Sequence, residues 1–249
     1  MKDIKMVEAV GFDKYFHASS WQEGNKKFFD QLAVKYDLLN EIISLGQQSS
    51  YKREAVKDLA LKRGDRVLDL CTGTGDMAFL MASQVDAITI DAVDVSEAML
   101  AIATEKKARF RFNNIHFQSA DALDLPFEDN SFDAVMVSFG LRNFVDMLSG
   151  LKEIYRVLKS DGRFITLDLG KPRGVGRMLY HVYYEQLMPW LGKVLFHRNE
   201  YNSYAYLSAS NKYFPPPQDI MQMMRQVGFN NVDGKEYMLG GLAQQTGLK

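Results

Sequence analysis

The sequence predicts an α/β protein built on a doubly wound, mostly parallel sheet with helices on both faces. Three features of the chain lead there. Short apolar runs alternate with helical segments between positions 66 and 169. The first such run stops at a glycine-rich turn, Cys71-Thr72-Gly73-Thr74-Gly75. The 249 residues are 47% hydrophobic and 24% charged, which is enough apolar material for a large core in a globular chain.

Arg66 to Leu70 reads as a buried first strand, and the helix after the glycine turn runs from Asp76 to Ser83. Ile88 to Asp94 is a second strand, after which Ser96 is placed to cap a helix from Glu97 to about Lys107. Ile115 to Gln118 makes the third strand and ends at Ala120-Asp121. Pro126 and Asp129-Asn130 signal a turn before the fourth strand, Phe132 to Ser138. A helix from Met147 to Leu158, a turn at Asp161-Gly162 and a strand from Arg163 to Leu169 follow. Residues 171–217 differ, with Tyr180, Tyr183, Tyr184, Trp190, Tyr204 and Tyr206 among many aromatics, and read as a helical insertion. A last helix from Asp219 to Val227, capped by Gly228, and a strand around Val232 to Leu239 complete the sheet. The division is a single domain over 1–249. It comprises a helical cap at 1–50, a core at 51–170 and 218–249, and a covering insertion at 171–217.

Composition narrows the function classes. Thirty basic residues against 31 acidic ones lack the basic excess of a strong nucleic-acid binder. A single cysteine, Cys71, excludes an internal disulfide framework and a multi-cysteine zinc site. No apolar run is long enough to span a bilayer, and the first residues lack a signal-peptide core, so the expected location is cytoplasmic.

Chemistry concentrates at three strand ends. Gly73 and Gly75 permit positive φ and close approach of a ligand to the backbone, and a helix begins beside them. Such a loop is equally the form of a dinucleotide-binding turn, or of a turn with no ligand. Asp94 follows by about 20 residues, the spacing at which an acid accepts hydrogen bonds from ribose hydroxyls. It could also simply sit beside the next helix N-terminus. Asp121-Ala122, at the end of the third strand, could meet an adenine amino group. Together the three place one adenosine-bearing ligand across the carboxyl ends of the first three strands.

Several segments resemble a known family. Val67-Leu-Asp-Leu-Cys-Thr-Gly-Thr-Gly-Asp76, Asp94-Val-Ser-Glu-Ala-Met-Leu100, Leu125-Pro-Phe-Glu-Asp-Asn-Ser-Phe-Asp133 and Glu153-Ile-Tyr-Arg-Val-Leu-Lys159 are similar to class I S-adenosylmethionine-dependent methyltransferases. Phe29-Asp-Gln-Leu-Ala-Val-Lys-Tyr-Asp-Leu-Leu-Asn40, Ser138-Phe-Gly-Leu-Arg-Asn143 and Lys171-Pro172 resemble the ubiquinone/menaquinone-biosynthesis C-methyltransferases (UbiE/MenG). The likeness implies a Rossmann-like sheet of seven strands, with S-adenosyl-L-methionine as methyl donor and no metal. It implies that Gly73, Thr74, Gly75, Asp94, Asp121, Ala122 and Ser138 bind the donor, and that Arg142 and Tyr36 face the acceptor. That acceptor would be a prenylated quinol of the demethylmenaquinol or 2-polyprenyl-6-methoxy-benzoquinol type. Peripheral contact with the inner face of the membrane follows, with no nucleic-acid partner, and a homodimer is left open.

The chain departs from the family pattern at Gln47 to Tyr51, at Asp168-Leu169-Gly170 and over Gly240 to Lys249. These departures are expected on the acceptor side. There, a ring carbon becomes nucleophilic when an ortho hydroxyl, with a pKa near 10, loses its proton. A guanidinium beside that oxygen favours the phenolate, the role open to Arg142; the alternative is that Arg142 pairs with a carboxylate on the next helix. Arginine stays protonated, so a water, Tyr36 or His181 would take the proton. Two other readings stand beside quinol methylation: methylation of another hydrophobic small molecule, and non-catalytic binding of S-adenosylmethionine.

Overall fold

The structure, a computed structural model, describes residues 29, 30, 47–174, 176, 211 and 214–249. Its elements in chain order are α1 (Gln48–Asp58), β1 (Arg66–Leu70), α2 (Asp76–Gln84), β2 (Thr89–Asp94), α3 (Glu97–Phe110), β3 (Ile115–Ser119), β4 (Phe132–Ser138), α4 (Met147–Val157), β5 (Leu158–Leu169), α5 (Pro217–Val227), β6 (Asn230–Tyr237) and β7 (Leu242–Leu248). They form a seven-stranded sheet in the order β3-β2-β1-β4-β5-β7-β6. Strands β1 to β5 are parallel to one another, and β7 runs antiparallel between β5 and β6.

The alternation read from the sequence is the physical basis of the two cores. Leu68, Leu70, Val135, Val137 and Phe164 point to one face and are buried with α4 and α5. Val67, Ile90, Ala92, Met136, Ile165 and Leu167 point to the other and are buried with α1 and α2. Nearly every residue of the central strands is buried, as a sheet covered on both faces requires. Ser96 caps α3 as its sequence position predicts, its hydroxyl accepting from the Met99 N–H at 3.2 Å. Gly228 closes α5 with φ of 123°.

Two elements differ from the sequence expectation. Helix α4 passes directly into β5, so Leu158 already pairs with Phe132. The turn residues Asp161 and Gly162 fall in a register shift inside that strand, with Asp161 at φ of 63°. The seventh strand lies at Leu242–Leu248, where the polar run Gln244-Gln245-Thr246 carries no apolar alternation. Helix α1 straddles the boundary expected at residue 50.

The strand order reverses between β1 and β4, and the chain leaves these neighbours in opposite directions. Both exits are in left-handed conformations at ordinary residues, Cys71 (φ 60°) and Phe139 (φ 56°). Gly140 rests on Cys71, and a Cβ there would lie 2.5 Å from Cys71 Cβ and 2.9 Å from its Sγ. Gly140→Ala should therefore lower stability by roughly 1–3 kcal/mol through overpacking. A thermal melt reads this directly, and an unchanged melting temperature would show that the two exits can separate freely.

Candidate active site

The reversal point opens a cavity of about 360 Å³ lined by the loops that follow β1, β2, β3 and β4. Gly73 and Gly75 adopt φ of 57° and 88°, as expected of this loop. Gly73 lines the cavity, whereas Gly75 begins α2 and is packed on Phe79 and Phe117.

Asp94 ends β2 inside the cavity. Its Oδ2 accepts from the Gly73 N–H at 2.8 Å and its Oδ1 from the Ser96 N–H at 2.9 Å. Asp94 thus lines the cavity and braces the start of α3. Burial pushes its pKa up, and the two N–H groups pull the other way. Asp121 and Ala122 line the same cavity beyond β3, with Asp121 Oδ1 accepting from the Leu123 N–H at 2.9 Å. Val95, Met99 and Leu123 add apolar walls.

A second chamber of about 20 Å³ adjoins the first, since Cys71 and Phe139 line both. Lys52, Asp69, Thr72, Thr74, Asp76 and Ser138 surround it. Ser138 Oγ is buried there without a hydrogen-bond partner. Asp69 is buried and accepts from the Thr72 hydroxyl at 2.6 Å, yet desolvation dominates and pushes its pKa to about 7. Cys71 is half-buried beside Asp94, Asp69, Asp168 and Asp121, and desolvation first and these carboxylates second raise its thiol pKa well above the ordinary value. Such a thiol is unreactive at neutral pH.

Arg142 is placed differently from the other predicted residues. It is 4% exposed, and its Nη1 donates to Asp168 Oδ1 at 2.8 Å and to the Phe139 carbonyl at 2.6 Å. Its backbone N–H donates to Asp168 Oδ2 at 3.2 Å. The carboxylate anticipated on the next helix is instead supplied by β5. Tyr36 and His181 lie outside the described residues, as does nearly all of the aromatic insertion. Phe29 lines the main cavity, and its neighbour Asp30 accepts from the Ser96 hydroxyl at 2.5 Å. The departure at Gln47 to Tyr51 falls on α1, with the Tyr51 ring 5.0 Å from that of Tyr237. Lys52, Val95 and Asn143 were not singled out from the sequence. Asn143 belongs to the Gly-Leu-Arg-Asn motif, which is a signal for it; Lys52 has none.

The site residues fit an adenosine-bearing sulfonium. Carboxylates stand at the ends of β2 and β3, apolar walls lie between them, and a glycine loop opens a helix beside them. Comparison with known proteins agrees. The model of the ubiE/COQ5 methyltransferase family matches residues 18–249. The chain belongs to that family. It is an S-adenosylmethionine-dependent methyltransferase.

Relatives in this family include a demethylmenaquinone methyltransferase of Thermus thermophilus, 40% identical over 81% of this chain and 91% of the relative. Another of that name, from Oceanobacillus iheyensis, is 34% identical over 93% of this chain and 97% of the relative. A ubiquinone/menaquinone biosynthesis C-methyltransferase of Geotalea uraniireducens is 38% identical over 89% and 95%. Among solved structures, the Haemonchus contortus phosphoethanolamine N-methyltransferase 2 in complex with S-adenosyl-L-methionine superposes with a TM-score of 0.68. It is 18% identical and covers 93% of this chain and 60% of its own, a likeness of fold. A methyltransferase from Aquifex aeolicus, at 18% identity, gives a TM-score of 0.56 over 79% of this chain and 88% of its own.

The protonation of Asp69 has a consequence for stability. Its folded pKa, about 7, lies above the ordinary value of 3.8, so the folded state holds the proton more tightly. The stabilising contribution is complete below the ordinary value and is lost as pH rises through about 7. Denaturant titrations should show the wild type losing stability relative to Asp69→Asn between about pH 4 and pH 8. A constant difference across that range would mean that Asp69 is ionised throughout.

Proposed function

We propose that the protein transfers a methyl group to a ring carbon of a prenylated quinol, of the demethylmenaquinol or 2-polyprenyl-6-methoxy-benzoquinol type. The observation that carries this reading is the family match over residues 18–249, together with relatives named for quinone biosynthesis that align over nearly the whole chain. The donor supplies a methyl group on a sulfonium, and the protein supplies position and electrostatics. Gly73, Gly75, Thr74 and Ser138 shape the space for its amino-acid end. Asp94 accepts from its ribose hydroxyls, and Asp121 with Ala122 takes its adenine.

The acceptor ring enters from the β4–β5 side, and the aromatic composition of residues 171–217 suits a hydrophobic tail. Tyr36 is the second residue that we assign to the acceptor, on the family resemblance of its segment. Arg142 lies at that edge, and its pairing with Asp168 holds the turn after β4 against β5. Its guanidinium favours the ionised ring oxygen, an interaction stronger in the transition state than in the ground state. The ring proton and the hydroxyl proton leave through a water, Tyr36 or His181. Among the described residues no helix is long and apolar enough to cross a membrane. An insoluble tail then requires that the enzyme meet its acceptor at the surface of a bilayer.

Purified enzyme, donor and reduced demethylmenaquinone in vesicles should yield a product heavier by one methyl group by mass spectrometry. The oxidised quinone should yield none, because only the quinol has a hydroxyl to ionise. Turnover of other phenols or amines with no turnover of any quinol would refute the reading.

Arg142 has its own test. Arg142→Gln should lower kcat roughly 10²–10³-fold with donor affinity retained, while leaving Asp168 buried without its partner and destabilising the fold by about 3–5 kcal/mol. Arg142→Gln combined with Asp168→Asn should recover most of the stability and none of the turnover. Recovery of turnover along with stability would reduce Arg142 to a structural role.

A further inference from the structure

We infer that Lys52, aided by the Ser138 hydroxyl, binds the α-carboxylate of the methyl donor and so distinguishes it from adenosine compounds lacking that group. This rests on the reading that the donor occupies the main cavity. The smaller chamber adjoining that cavity, about 20 Å³, has room for one small polar group. Lys52 reaches it from α1, with its side chain 10% exposed. Among the described residues its ion pair is with Asp76 Oδ2, at 3.3 Å. Asp76 Oδ1 also takes the Lys106 ammonium at 3.3 Å. One carboxylate thus serves two cations, each at a distance longer than the roughly 2.7–2.9 Å of a strong charge-assisted bond. Lys52 keeps attraction for a second anion.

The other groups around the chamber favour an anion over a cation. Asp69, the second carboxylate there, is turned to the Thr72 hydroxyl, and its raised pKa leaves it half neutral near pH 7. Ser138 Oγ, buried and unpartnered, has a proton to donate. A buried hydroxyl normally finds a partner, and a bound carboxylate would supply it.

Calorimetry with S-adenosylhomocysteine and with the same thioether lacking its carboxylate tests the assignment. The wild type should bind the complete ligand roughly 10- to 100-fold more tightly. Lys52→Met should bring S-adenosylhomocysteine down to the affinity of the truncated ligand and leave the truncated ligand unchanged. Lys52→Arg should keep most of the discrimination, and Ser138→Ala should lose a smaller part of it, so the question is answered even where Lys52→Met fails to fold. Equal affinities in the wild type, discrimination that survives in Lys52→Met, or equal loss of both ligands would each overturn the assignment. A wild type that binds neither ligand would remove the donor reading itself, a result distinct from all of these.

Discussion

The close contact between the exits of β1 and β4 is the constraint on which the rest of the site depends. These strands are hydrogen-bonded neighbours, yet the chain leaves them in opposite directions. Such a divergence opens a cleft only if the first residues past each strand turn sharply and lie on one another. Cys71 and Phe139 make the turns in the left-handed region, and the missing Cβ of Gly140 allows the contact. Strain of this kind persists because the strands behind it are almost entirely buried and cannot shift to relieve it. A strongly covered sheet thereby holds two unfavourable backbone conformations at the cavity.

Acids crowd the same edge, Asp69 and Asp168 buried and Asp94 and Asp121 half-buried. Asp69, Asp94, Asp121 and Asp168 come from four different strand ends, and each is stabilised by a different neighbour. Asp94 and Asp121 accept from backbone N–H groups, Asp69 from a threonine hydroxyl, and Asp168 from Arg142. Backbone donors leave a carboxylate oxygen able to accept from further hydroxyl or amine groups. A guanidinium partner instead secures a loop. The division separates the main cavity, lined by Asp94 and Asp121, from β5, where Arg142 and Asp168 are joined. Desolvation, reinforced by these four acids, holds the Cys71 thiol pKa well above its ordinary value.

The β6–β7 hairpin shows how a polar segment becomes interior. Strand β7 lies between β5 and β6, and Gln244 and Gln245 are 1% exposed. Gln244 donates to Asp58 on α1 at 2.7 Å and accepts from the Tyr237 hydroxyl at 3.2 Å. That network joins the last strand to the first described helix, across nearly the full length of the chain. A polar side chain placed there ties the end of the sheet to α1, which also carries Lys52 to Asp76 beside the glycine loop.

Local signals determined much of this protein. The apolar runs of β1 to β4, the glycines at 73 and 75, Ser96 at the start of α3 and Gly228 at the end of α5 act within a few residues, through burial, φ or a hydrogen bond. The spacing of Asp94 and Asp121 after the glycine loop was legible for the same reason, since each ends a recognisable strand. Strand β7 was not legible, because Gln244 and Gln245 are buried by neighbours distant in sequence. The partner of Arg142 comes from β5, 26 residues away, and Lys52 meets Asp76 across 24. Such pairings depend on which elements the sheet brings together, and no local pattern encodes them. Where polar side chains find their partners was decided by the tertiary structure alone, because a buried charge must take whatever opposite charge the fold places within reach.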